Sequence, residues 1–392
     1  MNFLLLILVL LGSSLNAMSL VEIIESSLAK NPSLDAITAR IEASEANVYV
    51  ANQFDNPELS LTKNTLDSSQ PMSQTVFSIK QKINYYNKRN TKEQVALADK
   101  SLQEEKLRAA KVALVAKIKR EAYTIWKLQE LKNIINKYLT LTKRNIEIYE
   151  SYATVSDNQH MGIIKAELSL ADLAIKNSTL DAKIYASFAR LSYLAAFEVT
   201  HLEIALKITE RPDLTKLLNS LNNNPTIALK DKELKKQNAA VALTRINNYP
   251  DFNLIAGYAY RENFDNYFNF GVALSLPIYG TENAKEQEAR AIQLSYASQK
   301  MDAQISVNAI CKAYYGQMLS AYNIYHIVQD DALAQIAHMF EFSNSSISTD
   351  GDLFKYIDVL FQKLSLEQKS INAVASYNQA EAKISELAGA LK

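Results

Sequence analysis

The side chains best suited to nucleophilic, general-base or metal chemistry here are four histidines, His160, His201, His326 and His338, and one cysteine, Cys311. Each histidine is isolated in sequence, and His326 and His338 lie twelve positions apart on an expected helix, too far to share a metal ion. There is no Cys-x-x-Cys, no His-Glu-x-x-His, no phosphate-binding glycine loop and no nucleophile elbow. Cys311 has no partner for an internal disulfide and reads as a small apolar residue in a helix. These patterns argue against an enzyme and call for no cofactor and no metal. What remains are acids near turn sequences: Asp157 in the first, Asp350 and Asp352 around Gly351 in the second, and Asp358 shortly after. Their chemistry is electrostatic, so its meaning depends on the elements that carry them.

Those elements are mostly helical. Lys plus Arg and Asp plus Glu each total 42, which leaves no net basic charge for nucleic acid. The chain holds 8 glycines and 7 prolines, with no proline between Met72 and Arg211 or after Ile278. A proline inside a helix costs about 3 kcal/mol, so these tracts are free to be continuous helix. At the start, the apolar run Phe3–Leu11 is too short to span a bilayer and is followed by small and polar residues to Ala17. Residues 1–17 read as a signal peptide cleaved after Ala17. No later run is long and apolar enough for a membrane helix, so any crossing must be made by strands.

The chain is written twice. Asn31-Pro32 recurs as Asn224-Pro225, and Pro57 as Pro250, both 193 positions later. Ala46 and Val48 match Ala239 and Val241, Tyr86 matches Tyr279, and Lys92-Glu93-Gln94 matches Lys285-Glu286-Gln287 at the same offset. By Leu168-Ser169-Leu170, which pairs with Leu364-Ser365-Leu366, the offset has drifted to 196. The expected organisation is a first repeat over 18–222 and a second over 223–392. Each opens with a helix, roughly 33–52 and 226–247, and continues into a pair of strands and a long helical hairpin.

In the second repeat the strands are expected at about 251–261 and 267–278. Phe252, Leu254, Ala256, Tyr258 and Tyr260 share one face of the first, and Phe268, Phe270, Val272, Leu274 and Leu276 one face of its partner. Period-two alternation over about ten residues is the mark of a membrane β-strand. The first repeat, at about 58–66 and 74–84, alternates less cleanly: Leu59, Leu61 and Val76 sit among polar residues, and alone it would read as a soluble hairpin.

The helical hairpins span about 90–200 and 282–391. The tract from Asn90 to Tyr152 would extend about 95 Å. Leu114, Ile118, Ile125, Leu128, Ile135, Leu139, Ile146 and Tyr149 form a coiled-coil seam, and Tyr123, Trp126, Ile134, Tyr138, Leu141, Ile148 and Tyr152 a second. Two seams suit a ring of helices better than a two-stranded rod. The polar, glycine-ended stretches Thr154–Gly162 and Ser343–Gly351 mark the turns, with helix resuming at about Ile163 and Asp352.

Four strands cannot close a barrel around a pore, and open edges are not tolerated in lipid. Three copies would give twelve strands and a ring of twelve helical segments. The fold class expected is mainly α with a membrane β-barrel: a trimeric 12-strand β-barrel on a 12-helix α-barrel.

This order of elements, repeated once, resembles the TolC family of outer-membrane efflux channels. The segment Gln81 to Arg89 (QKINYYNKR) is similar to the family's passage from second strand to long helix, and Leu274 to Gly280 (LSLPIYG) to its counterpart in the second half. Ile163 to Leu168 (IIKAEL) and Tyr356 to Leu360 (YIDVL) resemble the segments after the two hairpin tips. The resemblance implies a homotrimer in the outer membrane, surrounded by outer-membrane lipid, with its helical tube in the periplasm. It also implies a periplasmic adaptor (membrane-fusion) protein and an inner-membrane pump of RND or ABC type as partners, and a passive duct as function. The family commonly narrows its periplasmic mouth with a pair of aspartates. Asp358 matches the first and Phe361 falls on the second, with Asp350 and Asp352 as further candidates. Three copies of one aspartate around a narrow axis would attract cations. The hairpin tips, with Asp157, Gly162 and Gly351, are where the resemblance implies adaptor docking. The alternative reading is a periplasmic coiled-coil adaptor or tether without pore activity, which leaves the two strand pairs unexplained.

Overall fold

A computed structural model describes residues 18–67, 70–85, 87–151, 157–347 and 353–391. The expected signal peptide, Tyr86, Tyr152 and the candidates Asp350, Gly351 and Asp352 lie outside the described residues. The chain divides into two compact units, and each draws on both sequence repeats. One comprises the chain up to Pro32, Lys111–Asn222 and Ala309–Lys392; the other comprises Ser33–Ala110 and Asn223–Asn308.

The elements in chain order are β1 (Met18–Ser19), α1 (Leu20–Lys30), α2 (Pro32–Ala51), β2 (Glu58–Lys63), β3 (Gln74–Ile83), α3 (Lys88–Ser151) and α4 (Asp157–Ala195). They are followed by β4 (Leu202–Glu203), α5 (Leu214–Asn219), α6 (Pro225–Ile246), β5 (Phe252–Arg261), β6 (Tyr267–Leu274), α7 (Thr281–His326), a π-helical turn (Ile327–Ala332), α8 (Leu333–Ile347) and α9 (Leu353–Leu387). None of the described helices is long and apolar enough to cross a membrane.

The second unit holds one antiparallel sheet of order β2-β3-β5-β6. β3 and β5 come from different repeats and pair from Gln74↔Arg261 to Ile83↔Phe252, so the two hairpins fuse into one sheet with β2 and β6 at its edges. β2 stops at Lys63 because Asn64 closes the ladder: its side-chain oxygen accepts from Gln74 N at 2.9 Å and its amide donates to Met72 O at 2.8 Å. β6 stops at Leu274, short of the expected 278, ahead of Pro277, which has no N–H to donate to a ladder. Ion pairs link the helices of this unit beside a small apolar core: Lys236 pairs with Asp99 at 2.7 Å, Lys300 with Asp231 at 2.6 Å and Lys100 with Glu45 at 3.0 Å. Asp231 titrates below the usual carboxylate range because Lys235 and Lys300 hydrogen-bond its charged form.

In the first unit the coiled-coil seam of α3 is buried at Leu114, Ile118, Ile125, Leu128, Ile135, Ile146 and Tyr149, with Leu139 partly so. Tyr138, from the second stripe, is 1% exposed, so both stripes reach the interior. α4 contributes Ala166, Leu173 and Leu180 at strict seven-residue steps. The seam of α7 runs through Cys311, Met318, Ala321 and Val328, then steps eight residues to Ile336 instead of seven. The π-helical turn absorbs that extra residue, with Leu333 N–H bonded to Val328 O, so the seam stays on one side of the rod. Cys311 is fully buried, and burial pushes its thiol pKa up.

Candidate functional site: strand faces and helix-tip contacts

Cross-strand partners share a face, so the register sorts the sheet's side chains into two sets. The partners Leu59↔Ile79↔Ala256↔Phe270 and Leu61↔Phe77↔Tyr258↔Phe268 lie on one face, and Leu254↔Val272 continues it. This face is apolar and open to solvent: Leu59 is 82%, Phe270 83% and Phe268 72% exposed. The opposite face carries Glu58↔Lys80↔Ile255↔Gly271 and Ser60↔Ser78↔Gly257↔Asn269. There Lys80 pairs with Glu58 at 3.1 Å and the Ser60 and Ser78 hydroxyls are 2.7 Å apart. The first repeat's strand pair is therefore not an isolated hairpin but half of a four-stranded sheet. Val76 belongs to the polar face, and Phe77 and Ile79 supply the apolar one. Alternation is hard to read in this strand because Val76 and Phe77 are adjacent apolar residues.

The polar face also explains one glycine. A Cβ on Gly257 would fall inside contact distance of the Asn269 side-chain oxygen and 3.3 Å from the Phe77 backbone oxygen, so only glycine lets Asn269 lie across the strand. Ten strand residues extend about 33 Å, enough for a tilted crossing of the apolar part of an outer membrane.

Where β3 passes into α3, a buried ion pair sets the geometry. Lys88 Nζ donates to Asp251 Oδ1 at 2.8 Å and to Tyr249 O at 3.1 Å; the same Asp251 oxygen accepts from Tyr85 N at 3.1 Å. Tyr85 and Tyr249 stack with centroids 4.5 Å apart, and Asn87 takes a φ of 64°, a conformation Asn tolerates better than most residues. Burial alone would raise the Asp251 pKa; the Lys88 and Tyr85 hydrogen bonds outweigh it and hold the carboxyl below its usual value.

Near the hairpin tips, α9 packs Leu353, Tyr356, Ile357 and Leu360 into a core shared with Ile146 and Tyr149 of α3 and Ala166 of α4. Polar contacts fasten it: Asn145 donates to the Tyr356 hydroxyl at 3.0 Å, and Lys165 Nζ of α4 donates to Asp358 Oδ1 of α9 at 2.6 Å. The Lys165 ammonium also lies 3.3 Å from the Phe354 ring centroid. Asp358 keeps about half its side chain exposed, whereas Phe361 packs against the core cluster. Phe361 is thus an apolar packing residue, and Asp358 is the acid left near solvent.

Gly162 does not end the first turn. α4 begins at Asp157, so Gly162 lies inside the helix, where an added Cβ would come within 3.0 Å of Leu353 Cβ. It is a crossing point of α4 and α9, and the turn-like composition of Thr154–Gly162 concealed it because the crossing partner is remote in sequence. Asp157 is the first residue of α4. Sequence reasoning also passed over Lys165, although Ile163-Ile164-Lys165-Ala166 and Ile357-Asp358-Val359-Leu360 each set one charge, of opposite sign, among apolar residues after a tip. Among the described residues no three His, Cys, Asp or Glu side chains group as metal ligands.

Residues 23–154 match the family model described as outer membrane efflux protein. The fold is that of outer-membrane channels. The Neisseria gonorrhoeae MtrE outer membrane channel in its open state aligns with a TM-score of 0.81 at 13% identity, covering 95% of this chain and 89% of that one. The outer membrane protein VceC from Vibrio cholerae aligns at 0.79 and 13% identity, covering 95% and 97%. The Campylobacter jejuni CmeC outer membrane channel aligns at 0.78 and 14% identity, covering 94% and 85%. At these identities the likeness is one of fold. No curated protein matches the chain by sequence.

Proposed function

We infer that this chain is the outer-membrane channel of a tripartite efflux system, a passive duct that takes substrates from an inner-membrane pump and a periplasmic adaptor. The observation that carries this reading is the four-stranded sheet with an exposed apolar face, an opposite polar face and two unpaired edges, β2 and β6. Such a sheet cannot sit alone in lipid. Pairing β2 of one copy with β6 of the next, three times, closes a barrel of the kind the fold implies. A homotrimer in the outer membrane, with the helical hairpins in the periplasm, follows. The tether alternative has no use for an apolar strand face.

The tip contacts supply the gate. The Lys165–Asp358 pair ties α4 to α9, so each copy holds its second hairpin against its first, and three Asp358 carboxylates face the mouth. The tips beyond Asp157 and around Gly351 dock the adaptor. Because the pair is partly exposed, it contributes about 0.2–1 kcal/mol per copy.

The test is an unheated gel of the outer-membrane fraction followed by planar-bilayer recording. A heat-labile trimer with discrete conductance supports the channel; a silent monomer in the soluble or inner-membrane fraction sinks it. In the same recordings Lys165→Met raises the open probability if the pair closes the mouth. Equal open probability in Lys165→Met and wild type removes the gate assignment while leaving the channel standing.

A further inference from the structure

Within the first unit, α3, α7 and α9 border an open groove of about 960 Å³. Among the described residues, Arg120 and Lys369 are the only charged ones that line it. Other cations of this unit have acidic partners: Arg190 pairs with Glu121 at 3.1 Å and Lys383 with Glu386 at 2.7 Å. The Arg120 Nε, by contrast, is buried and has no hydrogen-bond partner among the described residues. That nitrogen is out of a ligand's reach, but Arg120 lines the groove and brings it a permanent positive charge on a group whose fork matches a carboxylate or sulfonate.

The floor between these charges is apolar and shallow in side chains: Ala313, Gly316 and Ile324 on α7 face Ala373 and Ala380 on α9. Gly316 costs about 1 kcal/mol relative to alanine in mid-helix. Nothing inside the chain requires it, since a Cβ there would meet no atom within 4 Å. The effect of the glycine is to keep the groove deep. Ser320, Asn372 and Ser376 add hydrogen-bonding groups along its length. The volume lies at the upper end of the ~300–1,000 Å³ typical of organic-ligand sites.

We propose that this groove binds an amphipathic organic anion, with its carboxylate or sulfonate on Arg120, Lys369 as a second positive charge, and its apolar body on the Ala/Gly floor. The proposal rests on the channel reading, since a duct brings exported molecules past its own wall, and it names a class of molecule the wall holds in passage.

The probe is 2-naphthalenesulfonate, with uncharged 2-naphthylmethanol as control, applied to the full chain in planar bilayers. Block is read as a fraction of each variant's own open current. The sulfonate blocks wild type at lower concentration than the alcohol. Arg120→Gln weakens that block by about tenfold or more, the loss expected for one charge-assisted hydrogen bond. Gly316→Leu fills the floor and weakens block by sulfonate and alcohol alike. Unchanged block in both variants overturns the proposal. So does loss of trimer migration in both, which would mean that the groove seats a neighbouring copy. If wild type shows no conductance, the channel reading has failed, and calorimetric titration of the purified chain with the sulfonate decides the groove separately. Binding that Arg120→Gln weakens upholds it, and no binding overturns it.

Discussion

Replacing Lys88 by Met tests whether the buried ion pair holds the junction between the sheet and the long helix. The Lys88 side chain is 6% exposed and that of Asp251 17%. Removing one partner of a buried pair costs about 3–5 kcal/mol, because the remaining charge is stranded. Asp251 would keep Tyr85 N–H at 3.1 Å and Lys82 at 3.8 Å, which puts the expected cost near ~3 kcal/mol, at the low end of that range. Near 1.4 kcal/mol per tenfold, local opening becomes about a hundredfold more frequent. Hydrogen exchange of the Tyr85 amide reads this directly, since it is bonded to Asp251 across the junction. The pH dependence has a definite sign. Asp251 has a depressed pKa in the folded state, so its contribution is present above the ordinary carboxylate pKa and is lost as pH falls through the folded value. Without Lys88, burial is less opposed and Asp251 protonates at higher pH. The gap between Lys88→Met and wild type is therefore widest at neutral pH and narrows through the carboxylate range. The double variant Lys88→Met/Asp251→Leu, which strands no charge, recovers most of the lost stability, read as the denaturant midpoint of the folded gel band because its Tyr85 N–H no longer has the Asp251 acceptor. Exchange at Tyr85 that is unchanged in Lys88→Met at neutral pH would refute the reasoning.

Two further perturbations probe the sheet and the rod. Gly257→Ala forces a methyl group against Asn269 and the Phe77 carbonyl, and is expected to cost about 1–3 kcal/mol in the denaturant midpoint of the folded gel band; Gly257→Ala/Asn269→Ala recovers part of it, and no recovery would place the strain elsewhere. Deleting Asp331 shortens the Val328–Ile336 step to seven residues, so the π-helical turn becomes ordinary α-helix and the seam survives, whereas deleting Lys312 rotates every later seam residue by about 100°; trimer yields that fall equally in the two deletions would show that the turn is not what keeps the seam in phase.

Much of the architecture was legible because it rests on short-range periodicity. The 193-residue repeat, the scarcity of proline, the period-two run from Phe252 to Tyr260 and the seam from Leu114 to Tyr149 are all local patterns, and each constrains an element without reference to anything distant. They led to strands, long helices and the membrane-channel fold class. The features that only the tertiary structure decided join residues far apart in the chain. β3 pairs with β5 across the repeats, and that register sets Phe77 and Ile79 beside Tyr258 and Ala256 on the apolar face and leaves Val76 on the other. Gly162 is a helix crossing because Leu353 lies against it, Lys88 is a junction residue because Asp251 closes on it, and Asp358 has Lys165 as its partner on another helix. Periodicity specifies which way a side chain points on its own element. It carries no information about which element comes to face it, because that depends on register and crossing point, and these are settled when many remote contacts form together.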